Sequence, residues 1–110
     1  MHSPELLKGT LQTIILKLLE DHGKMYGYEI TQKVKELSSS KILLTEGSLY
    51  PMLHKMVAEG LLQTEDFHIG KRVRKYYKLT ADGSEAVSVR IAEFTDFIKT
   101  MSVVLKLHKT

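Results

Sequence analysis

The stretch Glu46-Gly47-Ser48-Leu49-Tyr50-Pro51-Met52-Leu53-His54-Lys55 sets the reading of the whole chain. Continued to Ala58 on a helical wheel, it gathers Leu49, Met52, Leu53, Met56 and Val57 on one face. Pro51, His54, Lys55 and Ala58 fall opposite, with Ser48 and Tyr50 on the flanks. One face belongs to a core. The other is small, aromatic and basic, a surface built to enter a groove. The helix starts at one of two caps: Thr45, which leaves Pro51 to remove one backbone bond, or Ser48, which puts Pro51 in the first turn. It ends near Glu59, where Gly60 can take the positive φ that follows many helices.

Downstream lies Lys71-Arg72-Val73-Arg74-Lys75-Tyr76-Tyr77-Lys78, dense in cations. Leu61 to Ile69 and Val73 to Leu79 read as two strands joined through Gly70 and Lys71. Side chains alternate, so Arg72 and Arg74 share one face while Val73, Lys75 and Tyr77 share the other. Edge protection explains a lysine or two, but Lys71, Arg72, Arg74 and Lys75 place four cations within five residues. Tyr76 and Tyr77 are expected to brace the hairpin on the helices.

A helix of this kind followed by a basic hairpin is how a winged helix holds duplex DNA, with side chains reading base edges and the hairpin neutralising phosphates. The DNA-binding candidates are therefore Ser48, Tyr50, Pro51, His54, Lys55, Lys71, Arg72, Arg74 and Lys75. His54 and Lys55 can donate to guanine acceptors or phosphate, and Ser48 can bond either. For Tyr50 two readings stand: a phosphate contact, or a half-buried core aromatic. In Tyr26-Gly27-Tyr28, Gly27 permits close packing, while Tyr26 and Lys24 are equally compatible with a phosphate contact and a structural role.

The rest of the chain supplies the frame. Leu7, Leu11, Ile14, Ile15, Leu18 and Leu19 step by three and four through a first helix over residues 6–19, with Gly23 as its stop. A second helix runs from about Tyr26 to Leu37 with Ile30, Val34 and Leu37 on one face, and Ile42 to Leu44 is a short extended piece. Thr80-Ala81-Asp82-Gly83 opens a last long helix. In it Val87, Ile91, Phe94, Ile98, Met101 and Leu105 alternate four- and three-residue steps, the pattern of a helix-pairing seam. With Leu7 and Leu11, these residues are the dimerisation candidates.

The pieces taken together resemble the PadR family of transcriptional regulators. They are Gly9-Thr10-Leu11 leading to Ile15-Leu16-Lys17-Leu18-Leu19, then Tyr26-Gly27-Tyr28-Glu29-Ile30 and Glu46-Gly47-Ser48-Leu49-Tyr50-Pro51. Glu59-Gly60-Leu61-Leu62 and Arg72-Val73-Arg74-Lys75-Tyr76-Tyr77-Lys78-Leu79-Thr80 with Gly83 complete the set. The resemblance covers nearly the whole chain. It implies a winged helix-turn-helix domain, a dimer built through the C-terminal helix, and operator-bound repression often relieved by a small molecule. The single C-terminal helix is similar to that of the family's short branch, and the resemblance places Leu7 and Leu11 against the partner's last helix.

Composition narrows the alternatives. The 110 residues suffice for one modest core and carry a net charge of +3. The pI of about 9.1 suits a polyanionic partner. Cysteine is absent, which removes thiolate catalysis and cysteine-bound zinc. The five histidines, His2, His22, His54, His68 and His108, have no metal-ligand spacing, and Glu65-Asp66 point to opposite strand faces, a poor acid/base couple. No glycine-rich phosphate loop, targeting segment or span-length apolar run occurs.

The expectation is a mainly α fold with a small β-hairpin: a winged helix-turn-helix over residues 1–80 plus a long C-terminal dimerisation helix over 81–110, packed as one unit. It is a non-enzymatic, cytoplasmic homodimer that binds double-stranded DNA as a repressor on an inverted repeat, without metal, cofactor or membrane. A winged-helix protein-interaction module is the alternative. A sensor whose working site is the dimer interface is a third reading: Phe94, Phe97 and Met101 can line a pocket for a small apolar or aromatic effector, though a stripe at this spacing more often forms core.

Overall fold

The computed structural model describes residues 4–107, so His2 and His108 and the outermost ends of the two expected segments lie outside the described residues. The elements follow the order α1 (Pro4–Lys8), α2 (Leu11–His22), β1 (Met25–Tyr26), α3 (Gly27–Leu37), α4 (Glu46–Ala58), β2 (Leu62–Ile69), β3 (Arg72–Leu79) and α5 (Ala81–Val104). The expected first helix is divided. At Thr10 both the backbone N–H and the hydroxyl donate to the Leu7 carbonyl, at 3.0 and 3.1 Å, which closes α1 before α2 begins.

Each helix contributes an apolar stripe to one core. Leu11, Ile15, Leu16, Leu18 and Leu19 come from α2, Ile30 and Val34 from α3, and Leu49, Leu53 and Met56 from α4. Leu62, Tyr77, Met25 and Val87 close it from the sheet and α5. The start of α4 is settled by Thr45, whose hydroxyl oxygen accepts from the Ser48 N–H at 3.2 Å. Pro51 therefore sits inside the helix. The Gly47 carbonyl loses its intrahelical donor, which is tolerable because Gly47 is exposed to water. Gly60, at φ 78°, turns the chain out of α4.

The sheet has three strands in the order β1-β3-β2, all antiparallel. The hairpin register pairs Leu62 with Leu79 through to Ile69 with Arg72, leaving Gly70 and Lys71 as the turn. Its third strand is two residues long: Met25 pairs with Tyr77 and Tyr26 with Tyr76. Sequence alternation did not reveal β1, because two residues carry no period.

Thr80 and Gly83 anchor α5 to the base of the hairpin. The Thr80 side chain accepts from the Gly83 N–H at 3.0 Å and donates to the Gly60 carbonyl at 2.6 Å, while its N–H donates to the Leu61 carbonyl at 3.1 Å. A β-carbon on Gly83 would collide with that same Leu61 carbonyl. The first turns of α5 pack on α2 through Val87 and Ile91, and Arg90 donates to Gln12 at 2.9 Å. Farther along, Phe97, Ile98, Val104 and Leu105 are exposed, giving the molecule its long dimension of 58 Å against 29 and 21 Å.

Candidate nucleic-acid interface

The outer face of α4 matches the helical wheel. Ser48, Pro51, His54, Lys55 and Ala58 are exposed, while Leu49, Leu53 and Met56 are fully buried and hold the helix from beneath. Ser48 also closes a small cap, its hydroxyl donating to the Thr45 carbonyl at 3.0 Å and accepting from the Thr45 hydroxyl at 3.1 Å. Its oxygen is therefore part of the helix start as well as of the exposed face.

Tyr50 is half-buried, and its phenol covers Gly27: a β-carbon there would meet the Tyr50 hydroxyl and come within 2.7 Å of Cζ. The ring packs α4 on the start of α3, and its tip reaches a cleft of about 520 Å³ that opens between α3 and β3. Tyr26, Tyr28, Arg72, Val73, Arg74 and Lys75 also border this cleft. It joins the helix and the hairpin into one basic edge.

Ion pairing engages some of the chain's cations and leaves others free among the described residues, Lys35, Lys41 and Lys99 as well as those of that edge. Lys17 pairs with Asp21 at 3.0 Å and Glu20 at 3.2 Å, Lys33 with Glu36 at 3.6 Å, and Lys24 and Lys78 share Glu65 at 3.7 and 3.6 Å. The hydrogen bonds to Asp21 and then Glu20 raise the Lys17 ammonium above its ordinary value. Lys55, Lys71, Arg72 and Lys75 are exposed and make no ion pair among the described residues. Lys75 stands opposite Asp66 in the register without closing a pair. Four uncompensated cations beside an exposed helix face form a local positive field.

Arg74 is held differently. Its guanidinium lies 4.2 Å from the Tyr26 ring centroid, and its interaction with the Tyr76 phenol is the main cause that raises its pKa above the usual guanidinium value. Tyr76 packs edge-on against Tyr26 at 5.3 Å and Phe67 at 5.0 Å, and Lys24 sits 4.1 Å over Phe67. These residues cover the sheet face opposite the core. Tyr77 braces the core as expected, with 2% exposure, but Tyr76 faces away from it into this aromatic row. Lys24 and Phe67 join the row only through the three-strand register, which no local sequence signal announces.

The dimerisation candidates separate into two groups. Leu11 and Val87 are buried within the subunit, at 5% and 1% exposure, and so offer no surface to a partner. The periodicity that marked them is real, but the stripe they belong to is covered at that end by the chain's own core. Leu7, Ile91, Phe94 and Met101 are half-buried, whereas Ile98 and Leu105 are 51% and 55% exposed. Among the described residues no group of His, Asp and Glu could hold a metal, and no helix is long and apolar enough to cross a membrane.

A helix with an exposed, partly basic face followed by a basic hairpin gives the winged-helix architecture, a class whose function the comparisons with known proteins supply. Residues 15–89 match the Transcriptional regulator PadR-like family. The chain belongs to that family. Its fold is similar to a transcriptional regulator from Clostridium thermocellum, with TM-score 0.79 and 25% identity over 99% of this chain and 100% of that one. It is also similar to a PadR-like transcriptional regulator from Bacillus cereus, with TM-score 0.75 and 28% identity over 92% of this chain and 96% of that one. In sequence it is 35% identical over 66 residues to Transcriptional regulator Rv3488 of Mycobacterium tuberculosis, spanning 60% of this chain and 59% of that protein.

Proposed function

We propose that this regulator is a cytoplasmic homodimeric repressor that places α4 of each subunit in the major groove of an inverted-repeat operator. Within the described residues, the part up to Thr80 is assigned to DNA binding and α5 to dimerisation. The observation that carries the reading is the run of cations from Lys71 to Lys75 on the hairpin, of which Arg72, Arg74 and Lys75 border the cleft that Tyr50 of α4 reaches. Pro51 and Ser48 leave room for close approach, His54 and Lys55 supply base or phosphate donors, and the hairpin cations supply affinity without sequence preference.

Dimerisation is supported by the exposed stripe of Phe97, Ile98, Val104 and Leu105, which nothing among the described residues covers. Relief by a small apolar or aromatic molecule is supported by a groove of about 470 Å³ between α2, the end of α3 and α5, bordered by Ile14, Leu18, Val34, Leu37, Ile91 and Phe94. Phe97 and Met101 do not border it.

Titration of a labelled duplex over a salt series tests the DNA reading. Arg72→Ala should weaken binding to all duplexes alike and reduce the salt slope by about one unit per lost phosphate contact. His54 and Lys55 variants should instead alter sequence preference. An unchanged slope in Arg72→Ala would remove the hairpin from the phosphate contacts.

A further inference from the structure

Arg74 stands among the cations of the hairpin, yet its surroundings are those of a structural member. We infer that Arg74 is a positioning residue, which sets the hairpin against the recognition helix through Tyr26, Gly27 and Tyr50 instead of neutralising a phosphate. The inference rests on the DNA reading for its effect on binding, though the contact chain exists without DNA.

Three contacts make the chain. The Arg74 guanidinium lies 4.2 Å over the Tyr26 ring centroid, with the Tyr76 phenol beside it. Tyr26 is the residue at which β1 becomes α3: its backbone pairs with Tyr76 in the sheet, and its N–H donates to the Glu29 carboxylate at 3.1 Å. The next residue, Gly27, receives the Tyr50 ring from α4. A displacement of Arg74 is therefore passed by direct contact from β3 to the first turn of α3 and on to α4.

Burial supports the same assignment. Arg74 is half-buried over the Tyr26 ring, whereas Arg72 is exposed without an ion pair among the described residues. A phosphate contact would draw the Arg74 guanidinium away from the Tyr26 ring, and lysine replaces it there only in part: an ammonium can sit over a ring, as Lys24 does over Phe67 at 4.1 Å, but it offers less contact than the flat guanidinium. This predicts opposite behaviour for the two arginines that share one strand face.

The test compares Arg72→Ala, Arg74→Ala and Arg74→Lys in the full chain by two measurements. In duplex titrations Arg74→Ala should bind about two- to fivefold more weakly, the loss expected for an exposed cation–π contact, with the salt slope of wild type. Arg74→Lys, whose ammonium can still sit over the Tyr26 ring, should lose less than Arg74→Ala. Combining Arg74→Ala with Tyr26→Ala should add little to either single loss, because the two residues act through one contact. In amide hydrogen exchange without DNA, Arg74→Ala and Arg74→Lys should speed exchange in β3 and the first turn of α3, and Arg72→Ala should not.

A salt slope lowered by about one unit in Arg74→Ala would overturn the assignment. So would unchanged exchange in both Arg74 variants. Failure of the wild-type protein to bind any duplex would instead contradict the DNA reading alone, since the exchange comparison needs no DNA and still decides the role of Arg74.

Discussion

The Tyr50 phenol fills the space that any side chain at Gly27 would need, so that the first turn of α3 and the recognition helix are in contact at a residue with no Cβ. An added methyl would lie within 2.7 Å of Cζ and 3.1 Å of Cε1. Tyr50 would have to turn away, and α4 is fixed behind it by Leu49 and Leu53 at 0% exposure.

Gly27→Ala should therefore destabilise the fold by about 1–2 kcal/mol, an overpacking cost partly offset by the better helix propensity of alanine. The loss should shrink in a Tyr50→Leu background, where the far end of the ring is gone. Urea unfolding midpoints at constant slope would measure both. An equal loss in the two backgrounds would show that Tyr50 is not the obstacle.

Alkaline stability should report on Tyr77. Burial raises this phenol above its ordinary value of about 10, so the unfolded chain loses the proton first. The contribution is complete below about pH 10 and is lost as pH rises through the higher folded value. Tyr77→Phe should remove this component, and the variant's unfolding free energy should fall less steeply above pH 10 than that of wild type. Parallel curves would exclude Tyr77 as a source of the alkaline loss.

Dimerisation is best tested where the stripe is free. Ile98 and Leu105 are 51% and 55% exposed, so replacing both with Asp leaves the subunit core intact. In a dimer seam each carboxylate would forgo apolar burial and demand solvation, costing several kcal/mol. Sedimentation should give a folded monomer. An intact dimer would show that subunits pair elsewhere.

The helices were legible wherever an apolar stripe was long enough to show its period: α3, α4 and α5 fall where Ile30, Leu53 and Val87 place them. The break at Thr10 was hidden because Leu7, Leu11 and Ile14 keep helical spacing across it. Thr45 and Ser48 both make good caps, and only backbone geometry chose between them. In the site, the exposed face of α4 and the cations from Lys71 to Lys75 could be read locally. The stack of Arg74 on Tyr26 and the seat of Lys24 over Phe67 could not, since both depend on β1 pairing with β3. Periodicity likewise marked Leu11 and Val87 as seam residues, because a stripe records that something covers it and not whether that cover is the same chain.

The account's central claim, two copies of α4 reading one operator, is tested most directly by the spacing of half-sites. A two-fold dimer mirrors its symmetry in an inverted repeat whose half-sites lie about one helical turn, ~34 Å, apart or a multiple of it. Inserting about 5 base pairs between them turns the second groove to the far side of the duplex. At one fixed salt concentration the wild-type protein should lose on the order of 100-fold in affinity, the avidity of its second contact, while the Ile98/Leu105 double variant binds both spacings alike. Equal affinity of the wild-type protein for the two spacings would contradict symmetric recognition by the helix from Glu46 to Ala58.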